Sequence, residues 1–380
     1  MIGGGAGGLA AASAAAAFGV NVVLIDNGKM GGAGCVLPSK ALLVAADRAQ
    51  IARNGVLRNP ARFGADFAAV RAHVHDAVAA VAPQASRERF NALGVRIVDG
   101  EGRFTDPATV AVNGFDIKAR SFVIATGSSP VLPPIPGLAE TPYLTSATVC
   151  DLAECPRHLI VIGAGATGLE LAQAFRRLGA EVTVLEAAVP LAGDDSECSA
   201  IVLDALGREG AVIRSGIEVL RVRRALARLH VDIAHGADQE RREETIEGTH
   251  ILVAAGRRPN LDSLDLDTGR IRFDLNGITV DRRLRTSNKQ VYAIGDVTGA
   301  PQFTHLANHH AGLVIRHALF RTPVRADRLS VPWVIYTDPE LAQAGLIEEE
   351  ARAEVGIIRV LRSSYRENDR AVTTGATEGH

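Results

Sequence analysis

The segments Ile2-Gly3-Gly4-Gly5-Ala6-Gly7-Gly8 and Ile162-Gly163-Ala164-Gly165-Ala166-Thr167-Gly168 share one glycine spacing, G-x-G-x-x-G. At the same distance beyond each first glycine, an apolar run ends in an acidic residue, Asp26 in the first case and Glu186 in the second. A single motif of this kind is weakly specific, because many strand–helix turns are rich in glycine. Two copies with equal spacing to the acid predict two bound dinucleotides and electron transfer between them.

Each glycine of the motif has its own geometric role. The first permits a tight turn, the second lets the backbone approach a pyrophosphate, and the third lets the helix pack against the strand. In that order the positions are Gly3, Gly5 and Gly8 in the first motif and Gly163, Gly165 and Gly168 in the second. The helix N-terminus favours phosphate, and the two acids are predicted to accept hydrogen bonds from ribose hydroxyls. Repetition of the motif disfavours the alternative, a pair of glycine-rich turns without ligands.

Composition narrows the class of protein. The 380 residues predict two or three domains, and a net charge of −2 gives no sign of a nucleic-acid-binding surface. Four cysteines are too few for a secreted disulfide scaffold. The Gly/Ala-rich start has no basic residue before Lys29, unlike a signal peptide, and no apolar run reaches the length of a membrane span. We therefore expect a soluble, cytoplasmic protein with reduced thiols and no nucleic-acid or membrane partner.

The repetition extends beyond the glycines. Apolar runs predict strands at 20–25 and 158–162, and each half also has a later strand that ends in glycine, at 122–127 and 251–256. Alternating apolar and charged residues between 216 and 247 predict an antiparallel meander.

Further motifs stand at 30–32 (MGG), 38–43 (PSKALL), 125–128 (ATGS), 255–260 (AGRRPN), 292–296 (YAIGD), 303–307 (FTHLA) and 336–340 (YTDPE). With the two glycine motifs, this set resembles the FAD- and NAD(P)H-dependent pyridine nucleotide–disulfide oxidoreductases, in particular dihydrolipoamide dehydrogenases and mercuric reductases. The resemblance covers nearly the whole chain. It implies an α/β fold with two Rossmann-like dinucleotide-binding domains, one for FAD and one for NAD, and a truncated C-terminal α+β interface domain.

The resemblance also implies the order of the domains. The FAD-binding domain would occupy 1–150 and 263–326, the NAD(P)-binding domain 151–262, and the truncated C-terminal dimerisation domain 327–380. Beyond the first motif and Asp26, the implied FAD residues are Gly102 at the adenine, Thr126, Gly127 and Ser128 beside the cofactor, Asp296 at the ribitol, and Thr304 and His305 at the N-terminus of a helix that points at the flavin ring. That helix dipole would stabilise negative charge on the reduced flavin. The alternative role of His305 is that of a capping or core histidine.

The second motif would bind the nicotinamide cofactor, and Gly256 and Glu170 are counted among its contacts. A carboxylate at the position of Glu186 repels a 2′-phosphate. Ala187 and Ala188 follow it, so no arginine reverses that preference. We therefore predict NAD, with NADP disfavoured.

Lys40 and Glu170 form the most specific predicted pair. The resemblance implies that the lysine after Pro-Ser lies near flavin N5 and pairs with the glutamate that follows the third glycine of the second motif. Such a pair would tune the flavin potential and guide hydride transfer, since buried charges need partners. The alternative is two ordinary surface charges.

The thiol segment departs from the family pattern. Between Gly32 and Pro38 the family has two cysteines five positions apart, whereas this shorter segment has only Cys35. Cys35 is either a reactive thiolate that cycles through a sulfenic acid or mixed disulfide, or a relic. Cys150 and Cys155 are also five apart, but they lie in a connector that the resemblance assigns no redox role, so we predict structural roles. No metal site is predicted.

Two features predict an incomplete member of the family. Only Met1 and Ile2 precede the first motif, where a buried strand of about five residues is expected, and the final half-domain with the acid–base histidine is missing. The implied function is NAD(P)H-dependent reduction of FAD, with electrons passed to a disulfide or metal ion by an enzyme that is a homodimer when complete. The alternatives are a diaphorase with a quinone-like acceptor and no thiol chemistry, and a non-catalytic nucleotide-binding fragment.

Overall fold

The computed structural model describes residues 1–32, 36–54, 66–226, 228–236, 241–299, 301–327 and 331–380. The α-helices in these ranges are α1 (Ala6–Ala17), α2 (Val36–Asn54), α3 (Phe67–Val81), α4 (Arg87–Ala92), α5 (Ala166–Leu178), α6 (Ser196–Arg208), α7 (Thr304–Phe320), α8 (Glu348–Val355) and α9 (Asp369–Thr374). The strands are β1 (Val22–Asp26), β2 (Val95–Asp99), β3 (Arg103–Asp106), β4 (Thr109–Val112), β5 (Phe115–Lys118), β6 (Phe122–Ile124), β7 (Ser128–Pro130), β8 (Leu144–Thr145), β9 (His158–Ile162), β10 (Glu181–Leu185), β11 (Val212–Arg214), β12 (Ile217–Ala225), β13 (Arg228–His235), β14 (Arg242–Gly248), β15 (His250–Val253), β16 (Arg257–Pro259), β17 (Phe273–Asp274), β18 (Gly277–Ile278), β19 (Val291–Ala293), β20 (Pro332–Ile335) and β21 (Leu341–Ala344).

The chain forms two compact units. One comprises residues 1–33, 79–129 and 257–331, and the other comprises 34–78, 130–256 and 332–380. This division by packing differs from the predicted functional domains at 1–150, 151–262, 263–326 and 327–380, which stay predictions. In the described part of the chain, no helix combines the length and the apolar character that a membrane span requires.

The first unit is built on a parallel sheet of order β2-β1-Ile2-β6-β19. Ile2 forms bridges to Ile25 on one side and Ile124 on the other, so a single residue takes the place of the central strand that a Rossmann unit has. Helix α1 packs against α7, and the alanines Ala11 and Ala12 are fully buried there. Small side chains at these positions let the helix lie close to the sheet and to α7. The antiparallel sheet β3-β4-β5 completes this unit.

The second unit contains a parallel sheet of order β11-β10-β9-β15-β8. Strands β9 and β15 are hydrophobic along most of their length, as expected of parallel strands covered on both faces. Helices α2 and α5 pack together over a core that includes Leu159, Leu169 and Phe175. The predicted meander is confirmed, with β12, β13 and β14 pairing antiparallel, and the C-terminal part combines the β20–β21 hairpin with α8 and α9.

The two Rossmann-like units and the α+β C-terminal segment confirm the predicted fold class. The helical periodicity of residues 67–92 predicts one helix, but this helix is divided in the structure. Helix α3 ends at Val81, a 3₁₀ turn follows over Ala82–Ala85, and α4 begins after Ser86. Pro83 cannot continue an α-helical hydrogen-bond ladder, and the Ser86 hydroxyl caps the new helix by accepting from the Arg89 N–H at 3.2 Å.

Candidate functional site: two dinucleotide turns and a lysine–glutamate pair

The first glycines of the two motifs stand in two separate tight turns that have the same backbone geometry. Gly3 has φ +105° and Gly163 has φ +108°, in the region that favours glycine. A Cβ atom at either position would lie 2.5 Å from a carbonyl oxygen of the neighbouring strand end, that of Ala125 or that of Ala254. The turn therefore requires glycine in both units.

The third glycines let each helix lie on its turn, and the second glycines leave open space. A Cβ atom built on Gly8 would lie 1.9 Å from the Gly3 carbonyl oxygen, and one built on Gly168 would lie 2.1 Å from the Gly163 carbonyl oxygen. At Gly5 and Gly165, by contrast, a Cβ would meet no atom within 4 Å. Gly5 and Gly165 are also the N-caps of α1 and α5, and no side chain caps either helix. An uncapped helix N-terminus beside open backbone fits a pyrophosphate in each unit.

The acids at the strand ends have matching contacts. Asp26 accepts from the Gly4 N–H at 3.1 Å and from the Gly28 N–H at 2.8 Å. Glu186 accepts from the Ala164 N–H at 2.7 Å and from the Ala188 N–H at 2.9 Å. Each carboxylate is thus fixed beside its own glycine turn, where the ribose of a bound dinucleotide is predicted.

Several predicted FAD residues of the first unit form one hydrogen-bonded group. The Ser128 hydroxyl donates to Asp296 Oδ2 at 2.6 Å and accepts from Arg257 Nε at 2.7 Å. Thr126 and Asn260 exchange hydrogen bonds of 2.8 and 2.9 Å. The Asn260 N–H also donates to the Gly127 carbonyl oxygen, at 3.0 Å. Positions 126–128 and Asp296 are therefore brought together, through arginine and asparagine side chains to which the motifs assign no role.

Helix α7 begins at the predicted residue Thr304 without a side-chain cap, and His305 stacks on Phe303 with 5.2 Å between ring centroids. One turn later, the buried His310 accepts from the Gly295 N–H through Nδ1 at 3.3 Å. Burial, reinforced by His309, lowers the pKa of His310 to about 4. His310 is therefore neutral at physiological pH and able to accept this bond, which holds the turn that carries Asp296.

The two remaining predicted glycines, Gly102 and Gly256, lie in different units. Gly102 is buried, and a Cβ there would lie 3.0 Å from Cδ1 of Ile25, so the backbone passes close to β1. Gly256 has φ +109°, and its carbonyl oxygen accepts from the Val131 N–H at 3.0 Å. Gly102 thus lies in the same unit as Asp26, and Gly256 in the same unit as Glu186.

Lys40 and Glu170 form an ion pair within the second unit. Lys40 Nζ donates to Glu170 Oε2 at 2.6 Å, and the side chains are 31% and 8% exposed. The other carboxylate oxygen accepts from the Tyr336 N–H at 2.9 Å, and Lys40 Nζ lies 4.1 Å from the Tyr336 ring centroid. The burial of Glu170 excludes the alternative of two ordinary surface charges.

Farther along α5, Arg177 is buried, with its side chain 3% exposed. It donates to Glu209 through Nε at 2.8 Å and Nη2 at 2.5 Å, to Asp47 at 2.5 Å and to Asp338 at 2.8 Å. Burial alone would lower the pKa of Arg177, but Glu209 and Asp338 raise it above the usual value. Burial raises the pKa of Asp47, against the opposing effect of Arg177.

The cysteines give no redox pair among the described residues. Cys35 lies outside them, so its predicted role is not addressed by the structure. Cys150, Cys155 and Cys198 form no disulfide with one another, and all three pack against the core of the second unit, which fits the structural roles predicted for Cys150 and Cys155. Burial raises the pKa of Cys155 and, with Asp195, that of Cys198, which disfavours thiolates. Within the described ranges, no group of three or more His, Cys, Asp or Glu side chains is placed to hold a metal ion.

The sequence interpretation assigns no role to Tyr336, His310, Arg257 or Asn260, although all but His310 lie in motifs that carry the family resemblance. Their contacts join residues far apart along the chain, so spacing alone gives no sign of them. The available signal is indirect: an aromatic ring, an arginine and an asparagine in otherwise glycine- and proline-rich turns.

Known proteins similar to this chain include members of one family. The family described as pyridine nucleotide-disulphide oxidoreductase matches residues 1–311, and its dimerisation domain matches residues 331–380. A mercuric reductase of Staphylococcus aureus is 33% identical over 93% of this chain and 65% of the relative. A dihydrolipoyl dehydrogenase of Thermus scotoductus is 34% identical over 100% of this chain and 82% of the relative. The chain thus spans slightly less than two thirds of the length of that mercuric reductase.

The chain is also similar to solved structures of flavoprotein disulfide reductases. A Cu(II) complex of the HOCl-induced flavoprotein disulfide reductase RclA from Escherichia coli has a TM-score of 0.86 and 27% identity, covering 100% of this chain and 84% of that chain. The match to the family over residues 1–311 includes both glycine turns and the Lys40–Glu170 pair. The chain therefore belongs to the pyridine nucleotide-disulphide oxidoreductase family, as its motifs predict.

Proposed function

We propose that the chain binds FAD at the first glycine turn and NAD at the second, and that it catalyses reduction of the flavin by NADH. When bound, FAD accepts a hydride from the nicotinamide and passes the electrons to an acceptor. Family membership supports a flavin and a pyridine nucleotide as the cofactors. The observation that carries the proposal is the pair of matching turns, each with an open second glycine and an uncapped helix N-terminus.

The proposed acceptor is a disulfide or a metal ion. Relatives named mercuric reductase and dihydrolipoyl dehydrogenase support these two classes. Cys35 is the proposed thiol for this onward step. As one cysteine, it can form a sulfenic acid or a mixed disulfide, but no disulfide within its own segment.

A second candidate function is that of a diaphorase, which reduces a quinone or dye without thiol chemistry. The single cysteine between Gly32 and Pro38 favours it. Cys35→Ser separates the two candidates. If the thiol carries electrons, the variant loses disulfide reduction at least about tenfold and keeps NADH-dependent dye reduction, and Cys198→Ser serves as the control. Equal activity of wild type and Cys35→Ser with every acceptor would support the diaphorase.

Lys40 is proposed to place positive charge beside the flavin. Glu170 holds the ammonium of Lys40 in place. The positive charge of this ammonium would stabilise the negative charge that develops when the flavin is reduced. Lys40→Ala is expected to slow flavin reduction at saturating NADH by about 100-fold while FAD remains bound. Rapid mixing with NADH measures this rate, and Lys118→Ala, at the end of β5, is the control. Normal reduction in Lys40→Ala would remove Lys40 from the mechanism.

Glu186 is proposed to select NADH over NADPH. The Ala164 and Ala188 N–H groups hold its carboxylate in place. This carboxylate would accept hydrogen bonds from the ribose hydroxyls of NADH and repel the 2′-phosphate of NADPH. Glu186→Ala is expected to weaken NADH binding about tenfold, the value of one charge-assisted hydrogen bond, with little change for NADPH. Binding titrations with both nucleotides measure the ratio. Glu181→Ala, on the exposed start of β10, is the control and should keep the wild-type preference.

We also propose a homodimer through residues 331–380, which match the dimerisation domain of the family. A cytoplasmic location is proposed as well, because four cysteines are too few for a secreted disulfide scaffold. Light scattering at several concentrations measures the assembly state, for which a dimer is expected.

A further inference from the structure

We infer that Tyr336 is a positioning residue for the Lys40 ammonium. The ring of Tyr336 covers the ammonium, and its backbone N–H holds the carboxylate of Glu170, with which Lys40 pairs. This inference rests on the proposed function for its mechanistic meaning. Its geometry lies entirely within the second unit.

Tyr336 contacts both members of the ion pair. Its ring centroid lies 4.1 Å from Lys40 Nζ, within the range of a cation–π interaction. Its N–H donates to Glu170 Oε1 at 2.9 Å, while Lys40 donates to Oε2. The carboxylate is therefore fixed at both oxygens, and the ammonium is bounded by the carboxylate and the ring.

A fixed ammonium matters because lysine is flexible. Its four-carbon stem is flexible, and a single ion pair restrains the ammonium in only one direction. The amine has three N–H donors, and Glu170 takes one of them. Two of the three donors are therefore not taken by Glu170, and we propose that one of them faces the flavin.

The segment that carries Tyr336 is itself tied to one face of α5. Glu170, Gln173 and Arg177 lie at i, i+3 and i+7 on this helix, positions that share a face. Gln173 accepts from the Asp338 N–H and donates to the Asp338 carbonyl oxygen, both at 2.8 Å. Arg177 donates to the Asp338 carboxylate at 2.8 Å. Contacts that do not involve Lys40 thus hold the segment of Tyr336 against the helix that carries Glu170.

Competitive acetylation with limiting acetic anhydride tests the placement directly, because only the uncharged amine reacts. The chain has only Lys29, Lys40, Lys118 and Lys289 as lysines, so peptide mass spectrometry can follow each one against the others. Tyr336→Leu removes the ring and keeps the backbone N–H, and the side chain is 46% exposed, so the change leaves no cavity. We expect acetylation of Lys40 relative to Lys118 to rise about twofold to fivefold.

Two further variants decide what causes such a rise. Tyr336→Phe retains the ring face and should keep the wild-type ratio. Tyr143→Leu, an exposed tyrosine of the same unit, should also keep it. The inference is overturned if Tyr336→Leu leaves the ratio unchanged, if Tyr336→Phe raises it equally, or if Tyr143→Leu does the same.

The consequence for the reaction is measured separately. Tyr336→Leu is expected to lower the rate of flavin reduction at saturating NADH about fivefold, with NADH affinity unchanged and Tyr336→Phe close to wild type. A change in NADH affinity without a change in this rate would contradict the positioning role. Failure of NADH to reduce the wild-type protein would instead overturn the proposed function, and the acetylation ratio would still decide the placement of Lys40.

Discussion

Gly165→Val is expected to weaken NADH binding about 100-fold while the protein stays folded and retains FAD. Gly165 has extended backbone, φ −79° and ψ 179°, and a Cβ there would meet no atom within 4 Å. The valine side chain is therefore accommodated by the protein, but it fills the space that a pyrophosphate needs at the start of α5. Loss of two charge-assisted hydrogen bonds at about 1.5 kcal/mol each corresponds to about 100-fold weaker binding.

Fluorescence titration with NADH measures this loss, and the bound flavin is counted from the visible spectrum. Gly193→Val is a matched control, because a Cβ at Gly193 also meets no atom within 4 Å and the residue lies outside the glycine turn. Gly5→Val is the reciprocal variant in the first unit and should lose FAD. If Gly165→Val binds NADH as wild type does, the second turn is not the nucleotide site.

Arg177→Ala is expected to give the largest loss of stability, about 3–5 kcal/mol, the usual cost of removing one partner from a buried ion pair. Arg177 is 3% exposed and contacts Asp47, Glu209 and Asp338. Without it, these carboxylates lose their shared cation, and Glu209, whose side chain is only 16% exposed, loses its bidentate partner. The loss arises from uncompensated charge as well as from lost packing.

Chemical denaturation followed by tryptophan fluorescence measures this effect. Trp333 is the sole tryptophan and lies in β20, in the same unit as Arg177, so the signal reports on that unit. Arg208→Ala is the control. Arg208 pairs with Glu378, and both side chains are about half exposed or more, so a loss of at most about 1 kcal/mol is expected. Equal losses for the two variants would show that the Arg177 cluster is not specially stabilising.

Elements with strong periodicity could be predicted from the sequence. The predicted strand at 158–162 coincides with β9, because a run of apolar residues precedes a glycine turn that only glycine can form. The predicted pairing of Lys40 with Glu170 corresponds to an observed ion pair. In these places local pattern and tertiary environment favour the same structure.

Other features depend on contacts that no local pattern encodes. The sheet β3-β4-β5 has strands of only four residues, too short for a clear alternation. The group formed by Ser128, Arg257 and Asp296 joins three segments of the chain, and the buried His310 accepts a bond from a turn fifteen residues earlier. Tyr336 likewise meets Lys40 only because β20 and α2 both pack on α5.

We propose that one chain carries two dinucleotides and moves electrons from NADH to FAD. An anaerobic titration of the purified protein with NADH, followed by visible absorption, tests it most directly. We predict a yellow protein whose flavin absorption is bleached by about one equivalent of NADH per bound flavin, with NADPH less effective. A colourless protein, or a yellow protein whose flavin stays oxidised in excess NADH, would contradict the account.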